Sequence, residues 1–421
     1  MTLSSVKLFD LVNSLSVAMD MIDQAVRNHH TRVTYIAASI ASDMGLDIKV
    51  QRDLILAGLL HDIGAFSLKN RTEILQFEFP NPHEHAENGF RLLKNLSGFS
   101  DAAALVRCHH VPFSQADRKN GISEACQILH LSDRADSLIH RKKPILTQIS
   151  RICERIRKEA GKEFAPHIVE CFLELALKEY FWLDIVSLSV NKRLSEQFQS
   201  SDIILNSDEI LIFSRAFSRI IDFKSRFTVT HSSGVSYIAS ALGKLLGFSN
   251  ERCRMLEIAA DLHDLGKLAV PSELLEKPGN LTDEDYCVIK THPYYTYQIL
   301  KSIEGFDEIA KWAGFHHERL DGRGYPFHLT AEKLDQGSRI MAVADIFTAI
   351  TEDRPYRKGM KQDMVKSVLN NFVNVSALDG EIVSVLLSHY SEIDEGRRLA
   401  QKEALQEYEK FQFADKNGSA S

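Results

Sequence analysis

The chain has 421 residues, of which 44% are hydrophobic and 25% charged, so it is long enough for two or three domains and too apolar for wholesale disorder. Its 50 basic side chains against 57 acidic ones leave −7 at neutral pH, which argues against a nucleic-acid coat or a polybasic membrane binder. No DNA partner is expected, and an anionic ligand has to be held by local cations. The N-terminal stretch lacks a basic region followed by an apolar block, and no apolar run approaches the ~18 residues of a membrane span. The six cysteines are scattered without a CxxC pair. A cytoplasmic protein with free thiols and no membrane insertion is expected.

In chain order, His29-His30 opens a stretch with Val33, Ile36, Ala37, Ile40 and Met44 at helical spacing. Leu60-His61-Asp62-Ile63-Gly64 follows, then His85, the pair His109-His110 and Asp133. Residues 165–184 read as one long helix with Pro166 in its first turn and Trp182 in a core or interface. The polar stretch 190–207 reads as a linker. Beyond it the order repeats. His231 opens a helix with Val235, Ile238, Ala239, Leu242, Leu245 and Leu246, and Leu262-His263-Asp264-Leu265-Gly266 matches the earlier His-Asp turn. His292, His316-His317 and Asp345 then follow at nearly constant offset from their counterparts, as loop insertions would produce. The expected architecture is all-α and duplicated, with domains at 1–200 and 205–421. Asp222 and Lys224 read as a polar helix start. His140, His167, His328 and His389 read as surface or satisfied core, and the tail from Arg397 as a charged helix without a role.

His231, His263, Asp264, His292, His316, His317 and Asp345 lie in or beside apolar helical stretches, where imidazoles and carboxylates are costly to bury unless they bind something. Such donors, without cysteine, suit Zn, Fe or Mn and disfavour a structural zinc site. Adjacent helical residues project about 100° apart, so His263-Asp264 can present neighbouring ligands, with Asp264 bridging two ions. A lone His-Asp or His-His pair would be weak evidence; the ordered set occurring twice is not. Lys267 shares the His263 face one turn on and suits a phosphate oxygen, the alternative being a solvated helix-end lysine. Arg354 and Arg357 are spaced to clamp a phosphodiester, the alternative being a surface turn at Pro355. The two glycines of Asp321-Gly322-Arg323-Gly324-Tyr325-Pro326 permit a close loop that places Tyr325 against a base or phosphate, although a plain connecting turn would use the same residues.

The second copy resembles the HD-GYP family of cyclic dinucleotide phosphodiesterases, a subgroup of the HD-domain metal-dependent phosphohydrolases. The resemblance rests on Ile221-Asp222-Phe223-Lys224 with Thr230-His231-Ser232, on His263-Asp264-Leu265-Gly266-Lys267 and on His292-Pro293. It continues through His316-His317-Glu318-Arg319-Leu320-Asp321-Gly322-Arg323-Gly324-Tyr325-Pro326, Ala344-Asp345 and Arg354-Pro355-Tyr356-Arg357. It implies tandem HD-domain helical bundles and two divalent ions, Fe or Mn favoured, on the seven His and Asp positions just named. It implies catalytic Asp264 and Lys267, with Lys267, Tyr325, Arg354 and Arg357 on the substrate. The implied reaction is two-metal hydroxide attack on a 3′–5′ cyclic dinucleotide, giving a linear dinucleotide or mononucleotides. Cyclic di-GMP is the default substrate and 3′,3′-cyclic GMP-AMP the contender. Phe227 stands where some members carry a glutamate for a third metal, so two ions are expected. Thr296 stands where HPxxG has glycine, which puts the local helix packing in question.

The first copy resembles the general HD domain only. It keeps His29, His61, Asp62, His85, His109, His110 and Asp133, with His30 and His83 as alternatives to His29 and His85. Ala65 replaces the lysine, Lys142 and Ile145 oppose the arginines, and the Gly-Tyr-Pro loop is missing. This copy is expected to pack against or regulate the catalytic domain and not to cleave; whether it binds metal, and whether the chain forms a homodimer, stay open. The rival readings are a non-catalytic cyclic dinucleotide receptor and a mononucleotide phosphohydrolase of the wider HD superfamily.

Overall fold

A computed structural model of the chain describes residues 6–21, 28–65, 82–115, 123–187, 189–198, 203–223, 230–275, 277, 279–353 and 358–418. The chain divides into two compact units, Lys7–Ile204 and Leu205–Ser421, the second also taking in Met1–Val6. Both are helical. Among the described residues the only strands are Val6–Lys7 and Ile204–Leu205, which pair with each other. No helix among them is long and apolar enough to cross a membrane.

The N-terminal unit contains α1 (Leu8–Asp20), α2 (His29–Asp43), α3 (Ile48–Leu60), α4 (Pro82–Leu93), α5 (Ser100–Cys108) and α6 (Glu124–Ser137). It ends with α7 (Ile149–Lys158), α8 (Pro166–Ala176), α9 (Glu179–Ile185) and α10 (Val190–Phe198). Side-chain caps set where two of these helices begin: Asp47 accepts from the Lys49 amide at the start of α3, and Ser123 from that of Cys126 at the start of α6. Val33, Ile36, Ala37 and Ile40 of α2 are fully buried, as their spacing requires.

The C-terminal unit contains α11 (Ser207–Phe223), α12 (His231–Leu245), α13 (Asn250–Leu262), α14 (Ser272–Leu275), α15 (Asp283–Ile289) and α16 (His292–Lys301). It closes with α17 (Asp307–Gly314), α18 (Gln336–Thr351), α19 (Gln362–Asn374), α20 (Gly380–Ser388) and α21 (Tyr390–Gly418). Ser249 caps α13 and Asp335 caps α18 in the same manner, so the helix that leads into His263 and the helix that carries Asp345 each have a defined start.

Several expectations are corrected. Residues 165–184 form two helices, because the Trp182 indole turns back to donate to the Ala176 carbonyl (2.9 Å) and pack on Phe172. The expected linker contains α10, whose buried Val190, Leu194 and Phe198 form a single stripe that the polar composition concealed. The tail is a helix from Tyr390, and Ile393, Asp394, Arg397 and Gln401 are buried along it. Asp222 is no helix start; it is buried in the last turn of α11, where it accepts from the Ser232 hydroxyl (2.8 Å). His167 is at the surface, as expected, where it pairs with Glu124 (2.7 Å). Cys108 and Cys126 are joined in a disulfide, where free thiols were expected.

Candidate metal centre

Five segments of the C-terminal unit deliver the expected ligands to one place. His231 is the first residue of α12. The α13 helix stops at Leu262, and the chain turns through His263 and Asp264 into a short 3-10 helix, Leu265–Ala269. The turn packs so tightly on the start of α16 that a Cβ at Gly266 would lie 1.9 Å from the His292 carbonyl oxygen. Thr296 ties the same two segments together: its hydroxyl donates to the His263 carbonyl (2.9 Å) and accepts from the Gly266 amide (2.9 Å). The departure from glycine at this position is therefore a buried clamp, and it leaves the packing intact. His316 and His317 follow the end of α17, and Asp345 projects from the middle of α18.

The donor atoms form two groups, His231–His263–Asp264 and His292–His316–His317, each with its ligand atoms within 4.8 Å of one another. Asp264 faces both. Its Oδ2 lies 3.4 Å from His263 Nε2 and its Oδ1 3.4 Å from His292 Nε2. Asp345 likewise lies 3.1 Å from His231 Nε2 and 3.8 Å from His317 Nδ1. The Nδ1 atoms of His263, His292 and His316 donate to the carbonyls of Ala260, Ile289 and Ala313 at 2.6–2.7 Å, which turns each Nε2 lone pair inward. His292 Nε2 and His316 Nε2 then confront each other at 3.3 Å as two acceptors. Buried facing acceptors with no proton between them are costly, and a cation removes the cost. The donor set fits divalent metal.

The electrostatics point the same way. Burial pushes His292 down to about 3 and His316 to about 4, keeping both imidazoles neutral and available as ligands. Burial opposes ionisation of Asp264, but His263 and Lys267 hold its carboxyl well below the usual range. His231 is the exception: burial lowers it, yet Glu352 and Asp345 raise it to about 10. Positive charge on this imidazole, from a proton or a metal ion, is stabilised by the two carboxylates.

Lys267 is mostly buried, and its ammonium lies 2.5 Å from Asp264 Oδ2. Tyr325 packs on His317 with ring centroids 4.9 Å apart. Its loop is wrapped around Glu318, whose carboxylate accepts from the amides of Phe327 (2.6 Å) and Leu329 (2.9 Å). Gly324 is required where the loop crosses itself, since a Cβ there would lie 2.4 Å from the Arg319 nitrogen. Arg354 and Arg357, like Phe227, lie outside the described residues. Three residues of the site escaped the sequence reading. Glu352 sits on His231 (3.2 Å), two helical turns beyond Asp345, a spacing that signals a shared face. Tyr286 stands beside Tyr325 at 6.3 Å, and the Lys290 ammonium lies over both rings at 4.7 and 5.2 Å.

The N-terminal unit gathers its own set: Asp62, His85, His109 and His110 in one group, and His29, His61 and Asp133 in another. His85 is buried and joins the first group whereas His83 is exposed, and both His29 and His30 are close to His61.

Known proteins match both units. HD-domain family signatures cover residues 26–138 and 215–380. The 3′3′-cGAMP-specific phosphodiesterase 1 of Vibrio cholerae is 30% identical over 388 residues, covering 88% of this chain and 89% of that protein. The chain belongs to the HD-GYP family of cyclic dinucleotide phosphodiesterases. The 3′3′-cGAMP-specific phosphodiesterase 3 of the same organism is 26% identical across 90% of this chain and 94% of its own length. The cyclic di-GMP phosphodiesterase response regulator RpfG of Xanthomonas campestris is 37% identical over 154 residues, 36% of this chain and 41% of that protein. A solved structure of the Vibrio cholerae enzyme V-cGAP3 shares the fold with a TM-score of 0.65, at 23% identity over 92% of this HD-GYP chain and 98% of that one.

Proposed function

We propose that the C-terminal unit hydrolyses a phosphodiester of 3′,3′-cyclic GMP-AMP, giving a linear dinucleotide. The observation that carries the reaction class is Asp264, buried with one oxygen toward each of two imidazole groups. The preference for this substrate is supported by the two relatives that match along nearly the whole chain, both 3′3′-cGAMP-specific. Cyclic di-GMP is the second reading, favoured by RpfG, whose shorter match to this chain has the higher identity.

His231, His263, His292, His316, His317, Asp264 and Asp345 would hold two divalent ions, with Fe or Mn suited to this imidazole–carboxylate set. When bound, the ions supply Lewis acidity and an acidified water at neutral pH. The protein's part is positional. Asp264 presents its two oxygens to the two histidine groups at once. Lys267 brings an ammonium to the same edge, where negative charge develops on a phosphoryl oxygen, and water exclusion strengthens its effect. The Tyr325 ring, fixed against His317 by the Glu318-anchored loop, offers an apolar face with a hydroxyl tip to a base or sugar-phosphate. Arg354 and Arg357 supply further cations for the diester, and cytoplasmic second-messenger turnover is the setting this chemistry fits.

The test is hydrolysis of 3′,3′-cyclic GMP-AMP and cyclic di-GMP side by side, with metal counted in the same anaerobic preparation before and after chelation. Turnover that is lost with the metal and regained with Mn²⁺ or Fe²⁺ supports the enzyme and ranks its substrates. Bound metal with tight binding but no turnover of either compound would replace it with a receptor.

A further inference from the structure

The carboxylate on His231 is held from the last helix of the chain. Glu352, just past the end of α18, lies with Oε2 3.2 Å and Oε1 3.3 Å from His231 Nδ1. The Gln401 side-chain amide on α21 donates both to Glu352 (3.4 Å) and to the carbonyl of Thr230, which precedes His231 (3.2 Å). Gln401 in turn accepts from Arg397, whose guanidinium is pinned to Asp394 at 2.6 Å. All five side chains are buried, at 9% exposure or less. The backbones are shaped for this contact. A Cβ on Gly234 would lie 3.0 Å from Gln401 Nε2, and one on Gly396 would lie 1.9 Å from Tyr237 Oη. A glycine on each helix thus admits a side chain of the other, and α12 and α21 are locked in one register.

The N-terminal unit makes the equivalent contact with different parts. His29 Nδ1 lies 2.6 Å from Asp136, one turn beyond Asp133, and Asp136 is gripped at 2.5 Å by Arg32 from the His29 helix itself. Both copies place a carboxylate on Nδ1 of the first histidine, although it comes from a different position in each and is supported differently. A carboxylate there fixes the tautomer and ring orientation that leave Nε2 free to act as a ligand.

We infer that Glu352 and Gln401 are positioning residues for His231, so that the C-terminal helix tunes how tightly the centre holds its metal. The inference rests on His231 being a metal ligand. The full-length chain, loaded with Mn²⁺, is titrated with a competing chelator in wild type, Glu352→Ala, Glu352→Gln, Gln401→Ala and His231→Ala forms. Glu352→Ala is expected to weaken Mn²⁺ retention about 10- to 100-fold. Gln401→Ala is expected to weaken it about fivefold, the size of one ordinary net hydrogen bond, because Gln401 acts on the imidazole only through Glu352. Glu352→Gln, which still accepts from Nδ1–H, falls between wild type and Glu352→Ala. At saturating Mn²⁺ the Gln401→Ala enzyme should regain its kcat with KM unchanged, a rescue that a merely structural defect would not show. Wild-type retention in Glu352→Gln and Gln401→Ala, with His231→Ala clearly weakened, overturns the inference even where Glu352→Ala does not fold. Wild-type retention in His231→Ala overturns the ligand assignment instead.

Discussion

In the N-terminal unit the buried guanidinium of Arg134 lies on Asp133 at 2.5 Å; in the C-terminal unit the buried ammonium is Lys267, on Asp264 at 2.5 Å. Around this difference the two sets are close copies. Asp62 reaches His61 at 3.2 Å and His85 at 3.3 Å, as Asp264 reaches His263 and His292. His85 and His109 oppose their Nε2 atoms at 3.4 Å, as His292 and His316 do at 3.3 Å. What distinguishes the halves is where the cation sits and what surrounds the ligands. In the C-terminal unit it stands one turn beyond Asp264, and the Tyr325 loop packs on His317. In the N-terminal unit Ala65 occupies that position, and the positive charge has moved to the aspartate of the last ligand helix. The proposed difference in activity between the halves therefore rests on the cation and the loop and not on the His/Asp set.

The sharpest way to break this comparison is to remove each central aspartate in turn. Asp264→Ala should abolish turnover of both cyclic dinucleotides, while Asp62→Ala leaves it near the wild-type level. Equal losses, measured with protein confirmed folded by circular dichroism, would mean that the halves act together. Next in size is the lysine. Lys267→Met should lower kcat about 10²-fold with metal content unchanged, because the missing charge is felt where negative charge develops. Loss of metal together with activity would make Lys267 a structural partner of Asp264 only.

A smaller effect sharpens the comparison from the other side. Arg134 already gives Asp133 a positive partner, so a metal ion at the N-terminal set has to compete with it. In an Asp264→Ala background, which weakens the C-terminal set, Arg134→Met should tighten the remaining Mn²⁺ binding roughly tenfold, read by chelator competition. Unchanged or weaker binding would show that Arg134 orders Asp133 and does not compete for it.

The duplication, the helical class and the gathering of His and Asp side chains in both units were legible because each depends on residue type and order. Apolar spacing marked α2 and α12, and the repeated His-Asp turn aligned the halves. What stayed hidden depends on partners distant in sequence. The stripe of α10 uses only three apolar residues in a polar segment, and that of α21 is half polar, so neither declares itself by composition. Glu352 carries no motif; it matters because α18 ends where α12 begins. Gln401 is an ordinary glutamine on a charged helix until Gly234 lets it reach the His231 turn.

Thr296 shows the same dependence in a single side chain and gives the smallest test. In the N-terminal unit the position is Gly89, and a Cβ on Gly64 of the His-Asp turn would lie 2.5 Å from its nitrogen, so the turn and the next helix meet without a side chain between them. In the C-terminal unit the Thr296 hydroxyl pairs a buried carbonyl with a buried amide across the same junction. Thr296→Val keeps the volume and removes both bonds, which should cost about 1–3 kcal/mol because the two backbone groups are left unpaired. For a unit of this size the melting temperature should fall by roughly 2–10 °C. A scan with the metal-loaded chain checks it, and a variant that melts as wild type would mean that close packing alone joins the turn to the helix, as in the N-terminal unit.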